Sequence, residues 1–211
     1  MEPSPEMTAR IRKTQNRLIL WILRPVSGKT IAKRLRGGVV LRWVILAGED
    51  RSAADRRLSR SFRDWISGEA GGTSALCDGF LGGAEELVLT QTRRIERMPP
   101  GGGLVVFKES FGAGGCVDRR LRCTAIVSAG NERAVRLLSA LDAQTVTCGL
   151  SGKDTVTITS FTGDSAMLAL QRSVCACSGE LIQPFELPVR LGRVRDRYAL
   201  MSLFAAKLLM R

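Results

Sequence analysis

From Thr124 to Phe161 the hydrophobic positions change rhythm three times. Ala125 to Val127 is a short apolar run that ends in small residues. Ala134, Leu137, Leu138 and Leu141 then recur at helical spacing. A second β-like run covers Thr145 to Cys148 and stops at Gly149, and a third covers Thr155 to Ile158. Short buried strands alternating with a helix of about ten residues predict a parallel α/β sheet. The expected fold is therefore α/β: three layers, a mostly parallel sheet with helices on both faces, and some antiparallel strands near the C-terminus.

The same patterns organise the rest of the chain. Val39 to Ala47 reads as a strand, turned by Gly48-Glu49-Asp50. Arg51 to Ile66 reads as a charged helix whose apolar side is Leu58, Phe62, Trp65 and Ile66. Leu87 to Thr90 and Leu104 to Phe107 are two further short strands, separated by Arg93 to Gly103 with its Pro99-Pro100-Gly101-Gly102-Gly103 breaker. Residues 67–85 and 108–120 read as loops. Ser165 to Leu170 and Glu180 to Leu191 are expected to pair antiparallel through Ser178-Gly179, and Asp196 to Met210 is a terminal helix. At the other end, residues 5–24 predict a basic helix closed by Pro25 and Gly28, followed by a basic linker to residue 36. The expected organisation is a basic N-terminal helix and linker over 1–37 and an α/β domain over 38–211. Leu18 to Leu23 is apolar all round, so docking is the expected fate of the first helix. A membrane surface or a partner helix are its other outlets.

Charge adds a possible partner. Residues 1–60 hold fourteen Lys or Arg and five acids, so +9 of the chain's +12 lies there. Such an end attracts polyanions: nucleic acid, a membrane surface or an acidic partner. Histidine is absent, which excludes Ser-His-Asp and Cys-His catalysis and removes the commonest zinc ligand. The six cysteines show no zinc-ribbon or C-x-x-C spacing; Cys175-Ala176-Cys177 is a C-x-C. They read as structural thiols in a reducing cytoplasm, with no metal and no cofactor implied. The Leu18 to Leu23 run is six residues, far short of the ~20 that span a bilayer.

Candidate chemistry is sparse. Ser27-Gly28-Lys29-Thr30 has the tail of a phosphate loop, but Leu23 stands where the first glycine belongs and Pro25 falls inside it. The glycines at 112, 114 and 115 read as a flexible turn. Asn131 follows a strand end and opens a helix, either as its N-cap or as a ligand contact. Lys153-Asp154 sits at a turn between strands, where a solvated pair is the usual outcome.

From Thr124 onward the chain resembles the central domain of the Mur ligases, the ATP-dependent enzymes that add amino acids to cell-wall precursors. Three features carry the resemblance. Ala125-Ile-Val-Ser-Ala-Gly-Asn131 stands where the family has an apolar strand and Asn-Ala-Asp-Asp. Thr145-Val-Thr-Cys-Gly149 stands where it has a run like Val-Ile-Thr-Tyr-Gly. Antiparallel strands then lead to Leu191-Gly192-Arg193 and a helix with Tyr198-Ala199-Leu200, where it has Gly-Arg-His-Asn and a helix rich in Asn and Ala. Both acids of the first motif and the His-Asn of the third are lost, and no phosphate loop stands in a strand-loop-helix setting. The resemblance thus implies the fold without catalytic residues: a non-catalytic relative that binds a small anionic ligand or a protein partner near Asn131, Lys153 and Arg193. A second reading, of a different class, is a nucleic-acid-binding protein using the basic first 60 residues. A third is a small enzyme with Glu109, Asp118 and Cys116 converging in the glycine-rich loop.

Overall fold

The computed structural model describes residues 40–66, 85–95, 103–112, 116–117, 123–141, 143–192 and 194–210. The basic helix and linker expected over 1–37 lie outside the described residues, as do residues 67–84 of the loop expected over 67–85. In chain order the elements are β1 (Val40–Ala47), α1 (Ala53–Ile66), β2 (Glu85–Thr92), β3 (Arg94–Ile95), β4 (Gly103–Phe107), β5 (Cys116–Val117) and β6 (Thr124–Ser128). There follow α2 (Glu132–Leu138), β7 (Gln144–Cys148), β8 (Val156–Phe161), β9 (Ser165–Leu170), β10 (Val174–Cys175), β11 (Leu181–Ile182), β12 (Phe185–Arg190) and α3 (Arg197–Leu209).

Eight strands form one sheet in the order β12-β9-β8-β7-β6-β4-β1-β2. From β2 to β8 every neighbouring pair is parallel. β9 then runs antiparallel to β8, and β12 antiparallel to β9. This is the α/β, Rossmann-like sheet that the periodicity predicts, with its antiparallel strands toward the C-terminus. Register separates two faces, because successive side chains in a strand point opposite ways. One row runs Leu46, Val106, Ile126, Val146, and a neighbouring row continues Cys148, Val156, Leu170, Phe185. These side chains join α1 and α3 in one apolar cluster. Trp43, Ile45, Val105, Phe107, Ala125 and Val127 fall on the opposite face, and they are buried outside that cluster, as are Ala134 and Leu138 of α2.

α3 is the central element of the first face. Asp196 caps it, its Oδ1 accepting from the Ala199 N–H at 3.0 Å, and no Gly or Pro interrupts its Leu, Ala and Met positions. Every residue from Tyr198 to Leu209 is buried. The helix lies across β4, β6, β7 and β8 and beside α1. A helix apolar all round is stable only when enclosed. Its one buried cation, Lys207, places Nζ 5.9 Å from the centroid of the Trp65 ring on α1.

Several boundaries differ from those read in the sequence. α2 has seven residues rather than about ten, so Leu141 falls beyond it and Leu137 is only half-buried. The strand expected over Glu180 to Leu191 is broken: Leu181–Ile182 pairs with β10 in a separate hairpin and the main strand restarts at Phe185. Pro184 lies at the break; it lacks an N–H and constrains the residue before it. β2 is longer than Leu87 to Thr90 because backbone pairing with β1 extends through its polar ends, Val40 to Glu85 and Ala47 to Thr92. The separator after Thr92 and the loop at 108–120 each contribute two residues to a small parallel ladder, β3 with β5.

Gly103 begins β4 with φ +143°, and a Cβ there would lie 2.0 Å from the Trp43 carbonyl oxygen. Replacing Leu203, 1% exposed in α3, by Ala is expected to lower stability by about 2–5 kcal/mol, read from the shift in a urea unfolding midpoint at unchanged slope.

Candidate functional site

In an open parallel sheet ligands collect beyond the carboxyl ends of the strands. Here that edge carries residues 48–52 after β1, 108–112 after β4, 129–131 after β6 and 149–155 after β7. Lys108 directly follows the apolar run of β4 and has no solvent exposure. Its Nζ lies 2.6 Å from Asp50 Oδ1 at the end of β1, and the Asp50 side chain is 35% exposed. The Ser59 hydroxyl, in the second turn of α1, donates to the same oxygen at 2.7 Å. Burial works against the charge on Asp50, but the hydrogen bonds from Lys108 and Ser59 and the lysine's charge outweigh it, and the carboxyl titrates below its ordinary range.

The N-terminus of α1 is closed by its own residues. Ser52 Oγ accepts from the Asp55 N–H at 3.0 Å, and Asp55 Oδ2 accepts from the Ser52 N–H at 2.9 Å, a reciprocal capping box. Asp55 Oδ1 accepts from the Ser110 N–H at 3.3 Å, tying α1 to the loop after β4. Burial of Asp55 opposes ionisation, yet these bonds from Ser110 and Ser52 prevail and hold its pKa low. Glu109 goes the other way. Burial and then the negative charges of Asp196 and Asp55 raise its pKa, partly offset by a hydrogen bond from Ser128. Tyr198, at the start of α3, donates its hydroxyl proton to the Phe107 carbonyl oxygen. Around this core, Glu49 pairs with Arg93 and, at 3.1 Å, with Arg51, while Arg57 lies 3.7 Å from Asp196.

Of the three residues singled out from sequence, Asn131 is 8% exposed and its side chain is engaged at both ends. Its Oδ1 accepts from the Ala134 N–H at 3.0 Å, the N-cap role. Its Nδ2 faces the carbonyls of Lys108, Glu109 and Phe111 at 3.0–3.1 Å, stapling the loop after β4 to α2. Lys153 is exposed in the turn after β7. Arg193 lies outside the described residues. Asp154 is not the solvated partner expected for Lys153: it is buried, and its Oδ2 accepts from the Ser151 N–H at 2.9 Å. It packs over Gly149, where a Cβ would fall 2.2 Å from that oxygen and 2.9 Å from the Ala129 Cβ. The glycine that ends β7 is therefore required by the carboxylate above it.

The thiols divide. Burial pushes Cys123, which sits half-buried just before β6, up to about 11, and pushes Cys148 further still with help from the Asp154 charge. Both are poor nucleophiles. Cys175 and Cys177 are exposed on the β10–β11 hairpin rather than packed inside. Among the described residues no group of three or more potential ligands is placed to hold a metal ion, and no helix is long and apolar enough to cross a membrane. Asp118 lies outside the described residues, so the Glu109–Asp118–Cys116 convergence is not among the observed contacts.

The residues missed in the sequence are Asp50, Asp55, Lys108 and Tyr198. The Ser-x-x-Asp spacing at 52–55 was a usable signal for the capping box. Lys108 and Asp50 gave none, because 58 residues separate the partners. No protein-family model matches the chain, and no curated protein matches it.

Two outcomes test this network. Asp50→Ala strands a buried ammonium and is expected to cost about 3–5 kcal/mol, whereas Lys108→Met leaves only a part-exposed carboxylate and costs less; urea unfolding of both variants measures the asymmetry. The folded pKa of Glu109 exceeds its ordinary 4.5, so the folded state binds more protons and stability falls as pH rises from 4.5 through the raised value. Asp50 and Asp55 have the opposite sign. Their stabilisation is complete above the ordinary 3.8 and is lost as pH falls through their lowered values. Glu109→Gln is accordingly expected to raise the melting temperature at pH 7 and to leave it unchanged at pH 4.

Proposed function

We propose that this chain is a non-catalytic, Mur-ligase-like protein with a binding or accessory role in bacterial cell-wall precursor metabolism. What supports the family half is the order of elements from Thr124: strand, helix, strand, strand, an antiparallel pair interrupted by the small β10–β11 hairpin, then a helix. The motif remnants at 125–131, 145–149 and 191–200 fall at the joints of these elements.

One observation carries the non-catalytic half. A nucleotide-using α/β protein offers phosphate the free amides of a helix N-terminus and an available cation. On this edge the Asp55 carboxylate caps α1 and the Asp50 carboxylate neutralises Lys108. A triphosphate would have to displace both anions, with Glu109 adding to the negative field. Asn131 serves the fold, so in this reading Lys153, exposed on the same edge, is the described contact for a small anionic ligand.

Incubation with Mg-ATP, amino acids and nucleotide-sugar precursors is expected to release no phosphate above the blank. Mg-ATP at about 100 times a working Kd would stabilise the fold by about 2.7 kcal/mol; no such melting shift is expected. Robust turnover would refute the non-catalytic reading.

A further inference from the structure

The outer face of α1 carries a separate signal. Arg56, Arg57, Arg60 and Arg63 are all exposed, while Leu58, Phe62 and Trp65 anchor the opposite face in the core. At 100° per residue Arg56, Arg60 and Arg63 lie within an arc of about 60°, forming one ridge. Arg56 reaches the Asp50 carbonyl at 3.5 Å and Arg57 lies 3.7 Å from Asp196. Among the described residues Arg60 and Arg63 have no carboxylate partner. Arg56 with Arg60 and Arg60 with Arg63 are like-charge pairs at i,i+4 and i,i+3, an arrangement that destabilises a helix. A face serving only solubility intersperses both signs; here the half-buried Asp64, about 40° round the helix from Arg60, is set against four exposed arginines, and an external anion relieves the repulsion that remains.

We propose that this arginine ridge binds the phosphate backbone of double-stranded DNA. From Arg56 to Arg63 the ridge rises seven residue steps, about 10.5 Å of helix. Over that length each strand of a duplex presents about three phosphates, and guanidinium forks match phosphate oxygens. Single strands are disfavoured because the aromatics of α1, Phe62 and Trp65, are buried and offer no stacking platform. A membrane surface is disfavoured because, among the described residues, the large exposed apolar side chains, Leu150, Phe161 and Leu181, lie off this helix. The proposal is independent of the cell-wall reading, since it uses neither the strand edge nor the segment that carries the family resemblance.

The test compares the full chain with R56Q/R60Q/R63Q, using fluorescence anisotropy of a labelled 20-base-pair DNA from 50 to 200 mM salt. Arg57 is left intact because it faces Asp196. Removing three phosphate contacts is expected to lower the log–log salt slope by about 2.7, so that the wild type loses about 40-fold more affinity than the variant across that range. The substitutions remove helix repulsion, so the variant's melting temperature should equal or exceed the wild type's. Failure of the full chain to bind the duplex would overturn the proposal. So would an unchanged slope in the variant, or a loss of binding confined to phosphatidylserine vesicles.

Discussion

An ammonium with no exposure to water must have its counter-charge built in, and Lys108 meets Asp50 at 2.6 Å. That pairing fixes the ends of β1 and β4 against each other. The other contacts of the edge assemble on the same two loops. Ser59 brings in α1 through Asp50, and Asp55 brings it in again through Ser110. Asn131 fastens β6 and α2 to the carbonyls of Lys108, Glu109 and Phe111, and the Tyr198 hydroxyl fastens α3 to Phe107, one residue before Lys108. The edge where an open sheet usually receives a ligand is thus also where its helices are locked to its strands.

This locking has an electrostatic consequence. Asp50 and Asp55 are held ionised by donors that a phosphate would otherwise use, and burial, with the charges of Asp196 and Asp55, raises the pKa of the neighbouring Glu109. The chain's positive charge is displaced elsewhere, onto the outer face of α1 and the segment before β1.

Legibility in the sequence followed the range of the interactions. Val40–Ala47, Gly103–Phe107, Thr124–Ser128 and Ser165–Leu170 were readable because their apolar runs coincide with backbone pairing. β8 was cut short at Ile158 because its last residues, through Phe161, form a hairpin with β9 whose side chains face solvent. Asn131 as a helix cap was readable from its place between strand and helix, but its grip on three carbonyls twenty or more residues away was not. Lys108 followed a strand and preceded a glycine-rich stretch, so it read as loop; burial of a charge is decided by a partner in space, and Asp50 read only as part of the turn that ends β1. Gly149 and Asp154 were each visible, but their mutual dependence required the turn to be folded.

The most direct measurement is the nitrogen-15 side-chain resonance of Lys108, followed while Mg-ATP or inorganic phosphate is added. A strand edge filled by its own carboxylates predicts a slowly exchanging ammonium signal, lost in Asp50→Asn and unmoved by either anion. An ammonium that exchanges freely, or that shifts as phosphate takes the place of Asp50, would contradict the account.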